Sequence, residues 1–158
     1  SRKIKVTDRQ TGATAEADAR SGNIHADDPA YANAAGKGTG PLPAGKYDIL
    51  NHPPGQVGGK DWYDLDMADG IRDDYDPKTT RGHFRLHEGT ASDGCITVTD
   101  DRSPLDYHGN PNQNLRPDSP NSKNWDKIND ILKNTATKIV PDAFGRNRTF
   151  YGDLQVVP

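Results

Sequence analysis

Short runs in which apolar and polar residues alternate recur along the chain, separated by segments rich in Gly, Pro, Asn and Asp. This period of two is typical of half-buried β-strands. It predicts an N-terminal hairpin, central strands, a pair of strands around the only cysteine, and a closing strand. The predicted strands are Lys3–Thr7, Thr14–Arg20, Gly45–Leu50, Asp61–Met67, His83–His87, a run that leads out of Ser92–Thr99, and Thr149–Val157.

One stretch, Asn121–Val140, has the spacing of an amphipathic helix instead. Asn121 or Ser122 can cap it, and Pro141 stops it. Its apolar stripe is predicted to face the core, and comprises Trp125, Ile128, Ile131, Leu132, Ala136 and Ile139. The whole pattern predicts a mainly β fold with one long helix and long loops, in a single domain covering 1–158.

The remaining segments predict loops. His52-Pro-Pro-Gly55 is expected to end the strand before it. Asp69–Thr80 contains an acidic cluster that lacks the regular ligand spacing of a calcium loop, and it is predicted to be solvated. Asp100–Tyr107 is predicted to form a short helix or turn, and His108–Pro120 a loop rich in Pro and Asn.

Composition narrows the classes of function. The chain has 158 residues, is 31% hydrophobic and carries a net charge of −3. It shows no basic run, so nucleic acid is not an expected partner. It also shows no apolar stretch of the length that a membrane span needs and no signal-peptide core, so a membrane is not expected as a partner either. The lone cysteine, Cys95, cannot form an internal disulfide or a thiolate zinc cluster.

The candidate chemistry surrounds this cysteine. Alternation places His83, Arg85 and His87 on one face of a strand, and the short connection that follows could return Cys95 to the side of His87. An imidazole beside a thiol can take its proton and leave a reactive thiolate. This pair is the minimal equipment for nucleophilic catalysis.

The residues just before Cys95 add detail to the prediction. Gly94 permits a tight turn and a close approach of the backbone to a ligand. The N–H groups of Gly94 and Cys95 could point at a developing oxyanion. Ser92 offers a hydroxyl that could order the turn. For Asp93, capping a turn is the favoured role, and ionising a catalytic histidine is the less favoured one.

At this point the sequence resembles a known family. His87 with Ser92-Asp-Gly94-Cys95-Ile96 resembles the signature of the L,D-transpeptidase (YkuD-like) catalytic domain. Three further segments are similar to the branch of that family found among type VI secretion effectors that attack peptidoglycan. They are Ser21-Gly-Asn23, Gly40-Pro-Leu-Pro-Ala-Gly-Lys-Tyr47 and Phe84-Arg-Leu-His87.

The resemblance implies a β-sandwich or open-barrel fold and cysteine acyl transfer on peptidoglycan stem peptides. Cys95 would be the nucleophile, His87 its base, and the carbonyl of Glu88 or Gly89 would orient the imidazole. The acyl group would pass to water, to a D-amino acid or to a second stem. No cofactor or metal is implied.

The resemblance also implies partners and a location. The substrate would be a stem tetrapeptide of peptidoglycan. The protein would be an antibacterial effector that is secreted or delivered to the periplasm of a target bacterium. A cognate immunity protein and a carrier from the secretion system are the protein partners expected of such an effector.

This sequence departs from the family pattern at Asp93, Thr97 and Glu88. Many family members carry an arginine at the position of Thr97, where it is a carboxylate contact. Arg85 or Arg81 is a candidate for that role, because a guanidinium binds a carboxylate through two parallel bonds. His83 is a candidate at the rim of the site. The aromatic residues Tyr47, Trp62 and Tyr63 are expected to belong to the core, although such rings can also line a groove.

Two alternatives stay open. The chain could be a non-catalytic peptidoglycan-binding module that kept the fold. It could also hold a metal through His83, His87 and His108, although a strand-borne pair of histidines is not the helical pattern of metalloproteases.

Overall fold

Eight strands form one curled, open sheet, shaped as a half-barrel around a helix. The structure, a computed structural model, describes residues 2–22, 40–57, 60–89, 95–99 and 120–157. The predicted mainly β architecture with one long helix is confirmed in this part of the chain. Its elements are β1 Arg2–Thr7, β2 Thr14–Ser21, β3 Gly45–Val57, β4 Lys60–Met67, β5 Tyr75–Asp76, β6 Arg81–Gly82, β7 Arg85–Gly89, β8 Ile96–Thr99, α1 Pro120–Asn134, β9 Lys138–Pro141 and β10 Asn147–Val156.

The strand order of the large sheet is β1-β2-β8-β7-β4-β3-β10-β9, and β5 pairs with β6 in a separate two-stranded sheet. All neighbours in the large sheet are antiparallel except β7 and β8, which are parallel. The two strands on either side of the cysteine are therefore direct neighbours. Residues 90–95 connect them, so the chain returns to the start of β7 before it enters β8.

The N-terminal hairpin and the alternation of β4 agree with prediction. β1 and β2 pair from Arg2 with Ala19 to Thr7 with Thr14. The turn between them is stabilised by Asp8, whose carboxylate accepts the backbone N–H groups of Gln10 and Thr11. Along β4, alternate residues face opposite sides of the sheet, which gives the sheet an apolar face and a polar face.

The apolar face packs against α1. Trp125, Ile128 and Leu132 of the helix are buried against it. Each such side chain contributes roughly 1.5–3 kcal/mol by leaving water. The hydroxyl of Tyr63 also donates to Asn129 at 2.6 Å, which ties the helix to β4. The strand residues of this core are Ile4, Ala15, Ala17, Ala19, Tyr47, Ile49, Tyr63, Leu65, Leu86, Ile96, Val98 and Leu154.

The predicted length of the helix was wrong at its C-terminal end. The helix ends at Asn134, and Lys138–Pro141 forms β9 against the start of β10. The reason is local, because Thr137, Ile139 and Val140 are β-branched and favour extended backbone. Ile139 is 64% exposed and does not belong to the core stripe. At the other end the helix begins at Pro120, a residue that suits the first helical position.

The predicted end of β3 was also wrong. The strand continues through Pro53 and Pro54 to Val57. Its pairing with β4 shifts register between Asn51 and Gln56, and such an irregularity accommodates prolines that cannot donate to the ladder.

Two expectations around the acidic loop need correction. His83 has a φ of 58° and precedes β7, so the strand begins at Arg85 and the predicted alternation does not extend to His83. Asp76, expected to be solvated, is 1% exposed. It accepts the backbone N–H of Lys78 and the hydroxyl of Thr79, which stabilises the turn between β5 and β6. The predicted elements Asp100–Tyr107 and His108–Pro120 lie outside the described residues, except that Pro120 begins α1.

Candidate functional site

The polar face of the sheet carries the candidate site where β4, β7 and β8 lie side by side. Trp62 pairs with His87 across β4 and β7, and Asp64 pairs with Arg85. His87 pairs in turn with Thr97 of β8. Side chains in register on neighbouring strands share a face, so Trp62, His87 and Thr97 form one row across three strands.

The imidazole of His87 is held by the backbone carbonyl that follows it. Nδ1 lies 2.9 Å from the Glu88 carbonyl oxygen, and the side chain is buried. Because a carbonyl only accepts hydrogen bonds, Nδ1 must carry the proton in this contact. The neutral ring then presents its lone pair at Nε2. This is the tautomer that a general base needs.

Nε2 of His87 points toward β8. The hydroxyl of Thr97 lies 3.4 Å from it, and Thr97 is 2% exposed. A hydroxyl can donate to the neutral nitrogen and accept from the protonated one. Thr97 therefore contacts the basic nitrogen itself, at the position where the family pattern leads one to expect an arginine.

Trp62 closes one face of the His87 ring. The two rings stack with centroids 4.2 Å apart and planes inclined by 10°. On its other side Trp62 lies near His52, at 5.9 Å between centroids. The imidazole is thus fixed by a stacked indole and by a carbonyl, which together set both its plane and its rotation.

Cys95 directly precedes β8 and is half-buried. Ile96 pairs with Leu86, and both are core residues. Alternation along the chain therefore places Cys95 on the opposite face, with Thr97. Cys95 directly precedes Ile96 and Arg85 directly precedes its partner Leu86, so Cys95 lies near Arg85 at the end of the ladder.

Two buried guanidinium groups, those of Arg81 and Arg85, lie near Cys95. Burial lowers the pKa of Arg81, and the charges of Tyr47, Asp76 and Cys95 act against that effect. Burial would also lower the pKa of Arg85, but hydrogen bonding to Asp74 and the charges of Asp64, Asp74 and Cys95 raise it overall. Both arginines therefore lie within electrostatic range of Cys95.

Asp64 is the centre of an ion network beneath this row. Its carboxylate, 5% exposed, contacts Arg85 at 3.0 Å, Arg148 at 2.6 Å and His52 at 2.5 Å. Three partners compensate the cost of burying the charge. The network joins β3, β4, β7 and β10 on the polar face, and it holds β7 in place next to the site.

The predicted carboxylate-binding role of Arg85 is not supported by its contacts. Its terminal nitrogens form a two-point pair with Asp74 at 2.9 and 2.8 Å, and one of them also donates to the carbonyl of Phe84. With Asp64 at the remaining nitrogen, its donors are committed within the protein. His83, whose side chain is 86% exposed, lies 3.0 Å from Asp74 at the rim of this cluster.

The donors of Arg81 are likewise occupied within the protein, and its contacts join segments that are distant in the sequence. Its guanidinium donates to the carbonyls of Gly40 and Pro41 at 2.7 and 2.8 Å and lies 5.1 Å from the ring centroid of Phe84. Leu42 then donates its N–H to the hydroxyl of Ser21 at 2.6 Å. The contacts gather the Gly40–Tyr47 segment, Ser21 and Phe84 around one arginine.

Asp66 is an unusual acid on the same face. Burial raises its pKa to about 7, with the nearby charges of Asp74, Asp73 and Asp48 adding to the effect. One of its oxygens accepts the N–H of Asp74 at 2.7 Å, and the other is buried without a hydrogen-bond partner. A protonated carboxyl fits this environment better than a charged one.

Of the other predicted site residues, Gly89 is described and three are not. Gly89 has a φ of 151°, which L side chains rarely adopt, and its backbone lies close to the His87 ring and Thr97. Ser92, Asp93 and Gly94 lie outside the described residues, and so does His108 of the metal alternative. Within the described ranges, no group of three His, Cys, Asp or Glu side chains could hold a metal ion.

Sequence reasoning missed the roles of Trp62 and Asp64. The strand pattern itself contained the signal, because alternation placed Trp62 with Asp64 and Asp66, opposite the core residues Tyr63 and Leu65. Hydrophobicity suggested the core for Trp62, whereas its position in the strand predicted the polar face. Tyr47 and Tyr63 are in the core as expected, at 0% and 4% exposure.

Comparison with known proteins gives one match. The family model described as the Tlde1 domain covers residues 15–118, well over half of the chain, including His87 and Cys95. Neither the curated proteins nor the solved structures include a match to the chain. No helix among the described residues is both long and apolar enough to cross a membrane. The chain belongs to the Tlde1 domain family, and it is a domain of a type VI secretion effector, a protein class delivered into target cells.

Proposed function

We propose that this effector domain is a cysteine acyl-transfer enzyme acting on peptidoglycan stem peptides in the periplasm of the target bacterium. The observation that carries the proposal is the state of His87. Its Nδ1 is occupied by the Glu88 carbonyl, so its basic Nε2 faces Thr97 of β8, the strand that directly follows Cys95. A base in this orientation, beside a thiol on the same face, is the arrangement that nucleophilic catalysis requires.

Two cations near Cys95 support the proposal. Arg81 and Arg85 are buried at 6% and 9% exposure, and both lie within electrostatic range of Cys95. Neighbouring cations stabilise a thiolate relative to a thiol, which raises the fraction of reactive nucleophile near neutral pH. We therefore assign the two arginines to support of the nucleophile, while their hydrogen bonds hold the surrounding backbone.

In the proposed reaction, His87 Nε2 takes the proton of Cys95 and the thiolate attacks the carbonyl of the L-centre of the third stem residue. The tetrahedral oxyanion is stabilised by the N–H groups of Cys95 and Gly94. Collapse breaks the peptide bond, and the His87 imidazolium gives its proton to the amine of the leaving terminal D-alanine. Water or an amine then attacks the thioester and regenerates Cys95.

Digestion of isolated sacculi tests the proposal. Mass spectrometry of the released muropeptides should show loss of one alanine, exchange of the terminal residue or a new cross-linked dimer. The first outcome identifies water as the acceptor, the second a D-amino acid and the third a second stem. Unchanged masses with wild-type protein would refute an enzymatic function.

The same samples test the alternative of a non-catalytic binding module. Such a module would cosediment with sacculi equally as wild type and as Cys95→Ala, without changing any muropeptide mass. Labelling of Cys95 by a thiol-reactive probe at pH ~6–7 gives an independent measure of thiolate character. A module with an inert thiol would label only at higher pH.

A further inference from the structure

Two edges of the large sheet face each other across the mouth of the half-barrel. In the part of the chain that the structure describes, β1 pairs with β2 alone, and β9 pairs with β10 over residues 147–150. Among the described residues, the outer edges of β1 and of residues 152–156 in β10 therefore have no strand partner. Unpaired N–H and C=O groups on such edges are templates for the addition of another strand.

A groove of about 480 Å³ separates these edges. Residues Lys3–Lys5 of β1 and Asp153–Val157 at the end of β10 form its two walls. Its floor is the edge of the apolar core, formed by Ile4, Ala19, Leu42, Ile96 and Leu154. Its most exposed apolar side chains are the half-buried Val156 and Val157, which is 70% exposed, and an added strand could pack alternate side chains against them.

The rim of the groove is cationic. Lys3, Lys5 and Arg20 line it and are exposed. The acid on the opposite wall, Asp153, is already paired with Arg9 at 3.0 Å and Lys46 at 3.7 Å. Lys5 has only a long, exposed contact of 3.7 Å with Glu16, which contributes little. Among the charged residues that line the groove, the cations therefore outnumber the acid by three to one.

We propose that this groove accepts an extended segment of a partner protein that alternates apolar and acidic residues and adds as a strand between β1 and β10. The backbone edges would supply the hydrogen bonds, Val156 and Val157 would contact alternate side chains, and the rim would select acidic residues. A second copy of this chain is disfavoured as occupant. Its edge strand β1 would bring Lys3 and Lys5 to a rim where the same two cations already lie.

The groove and the candidate site use opposite faces of β8. Ile96 lines the groove, whereas Thr97 faces His87. A strand bound in the groove would leave the polar face open, so the proposal does not depend on the proposed enzymatic function.

A random dodecapeptide display library, selected on the purified protein, tests the proposal. Enriched peptides should alternate apolar residues with Asp or Glu. Binding of a synthetic enriched peptide, measured by fluorescence anisotropy, should weaken at least tenfold with the double variant Lys3→Glu and Lys5→Glu. The matched double variant Lys78→Glu and Lys127→Glu changes two exposed lysines elsewhere and should bind as wild type does.

Two further measurements separate strand addition from simple charge attraction. N-methylation of alternate amides in the peptide should abolish binding, and amide hydrogen exchange should slow at residues 3–5 and 153–156 when the unmodified peptide binds. The proposal is overturned if no peptide is enriched or if the charge-reversed variant binds equally. Equal binding of the N-methylated peptide would overturn it too, as would protection of these edges in the free protein or dimerisation through them.

Discussion

The imidazole of His87 lies flat against the indole of Trp62, with ring centroids 4.2 Å apart. This contact and the Glu88 carbonyl at 2.9 Å together define the orientation of the ring. An indole face also attracts a cation, so it favours the imidazolium that forms when His87 accepts a proton. Trp62 is therefore a positioning residue for the proposed base.

Replacing Trp62 should reduce turnover more than binding. We expect Trp62→Leu to lower kcat about tenfold, equivalent to about 1.4 kcal/mol, with little change in KM. Trp62→Phe keeps an aromatic face and should retain most of the activity. Steady-state kinetics on a stem tetrapeptide measure both, and a Leu variant with the kcat of wild type would contradict the positioning role.

The hydroxyl of Thr97 gives a second prediction. Thr97→Val keeps the shape of the buried side chain but removes the group 3.4 Å from Nε2. Loss of one hydrogen bond of about 1 kcal/mol should lower kcat about fivefold and shift the pH profile of kcat/KM. Thr97→Ser should restore both, because it keeps the hydroxyl. If Thr97→Ser and Thr97→Val lowered kcat equally, Thr97 would have a packing role only.

The stability of the fold should depend strongly on Asp64. Asp64→Asn weakens the contacts to Arg85, Arg148 and His52, leaving buried cations undercompensated. Breaking a buried pair in this way costs roughly 3–5 kcal/mol. The matched control is Asp153→Asn, which weakens the exposed pairs with Arg9 and Lys46 and should cost less than about 1 kcal/mol. Urea unfolding measures both values, and equal costs would contradict the central role of Asp64.

The protonation of Asp66 predicts how stability varies with pH. Its pKa is about 7 in the folded protein and 3.8 ordinarily. Between these values the folded state holds a proton that the unfolded chain has lost, so the free energy of unfolding falls as pH rises from about 4 to about 7. The full difference is at most about 4 kcal/mol. The contribution of this proton to the free energy of unfolding is complete below the ordinary pKa of 3.8 and absent above pH 7.

Asp66→Asn tests this dependence, because the amide stays neutral throughout. In urea unfolding from pH 4 to pH 8, the free energy of unfolding of the variant should lack this part of the fall with pH. The variant should also be more stable than wild type at pH 8. Asp130→Asn, at an exposed position on α1, should leave the slope unchanged. If Asp66→Asn kept the full slope of wild type, the assignment of the slope to Asp66 would be wrong.

The strand pattern was sufficient to predict the hairpin, β4, β10 and most of the core. It also indicated that β7 and β8 both contribute to the site. Polar and apolar residues alternate in the two strands, so Arg85 and Thr97 share one face of the sheet, and Leu86 and Val98 share the other. Alternation did not predict where an unusual backbone conformation ends a strand. Nothing in alternation reveals that His83 adopts a φ of 58° and leaves the strand.

The ion network could not be predicted, because it joins residues far apart in the sequence. Asp64 meets Arg148 and Arg85 only once β10 and β7 have taken their places in the sheet. For the same reason the sequence does not reveal that Arg85, one of two candidates for the carboxylate contact, is paired with Asp74 and Asp64. A charged residue in a polar segment gives no sign of which charge will neutralise it.

Release of D-alanine from a purified disaccharide tetrapeptide tests the central claim most directly. The wild-type protein should release D-alanine to water, or exchange it when an excess of a D-amino acid is supplied, and Cys95→Ala should do neither while remaining folded by circular dichroism. Full activity of Cys95→Ala would contradict the assignment of Cys95 as the nucleophile.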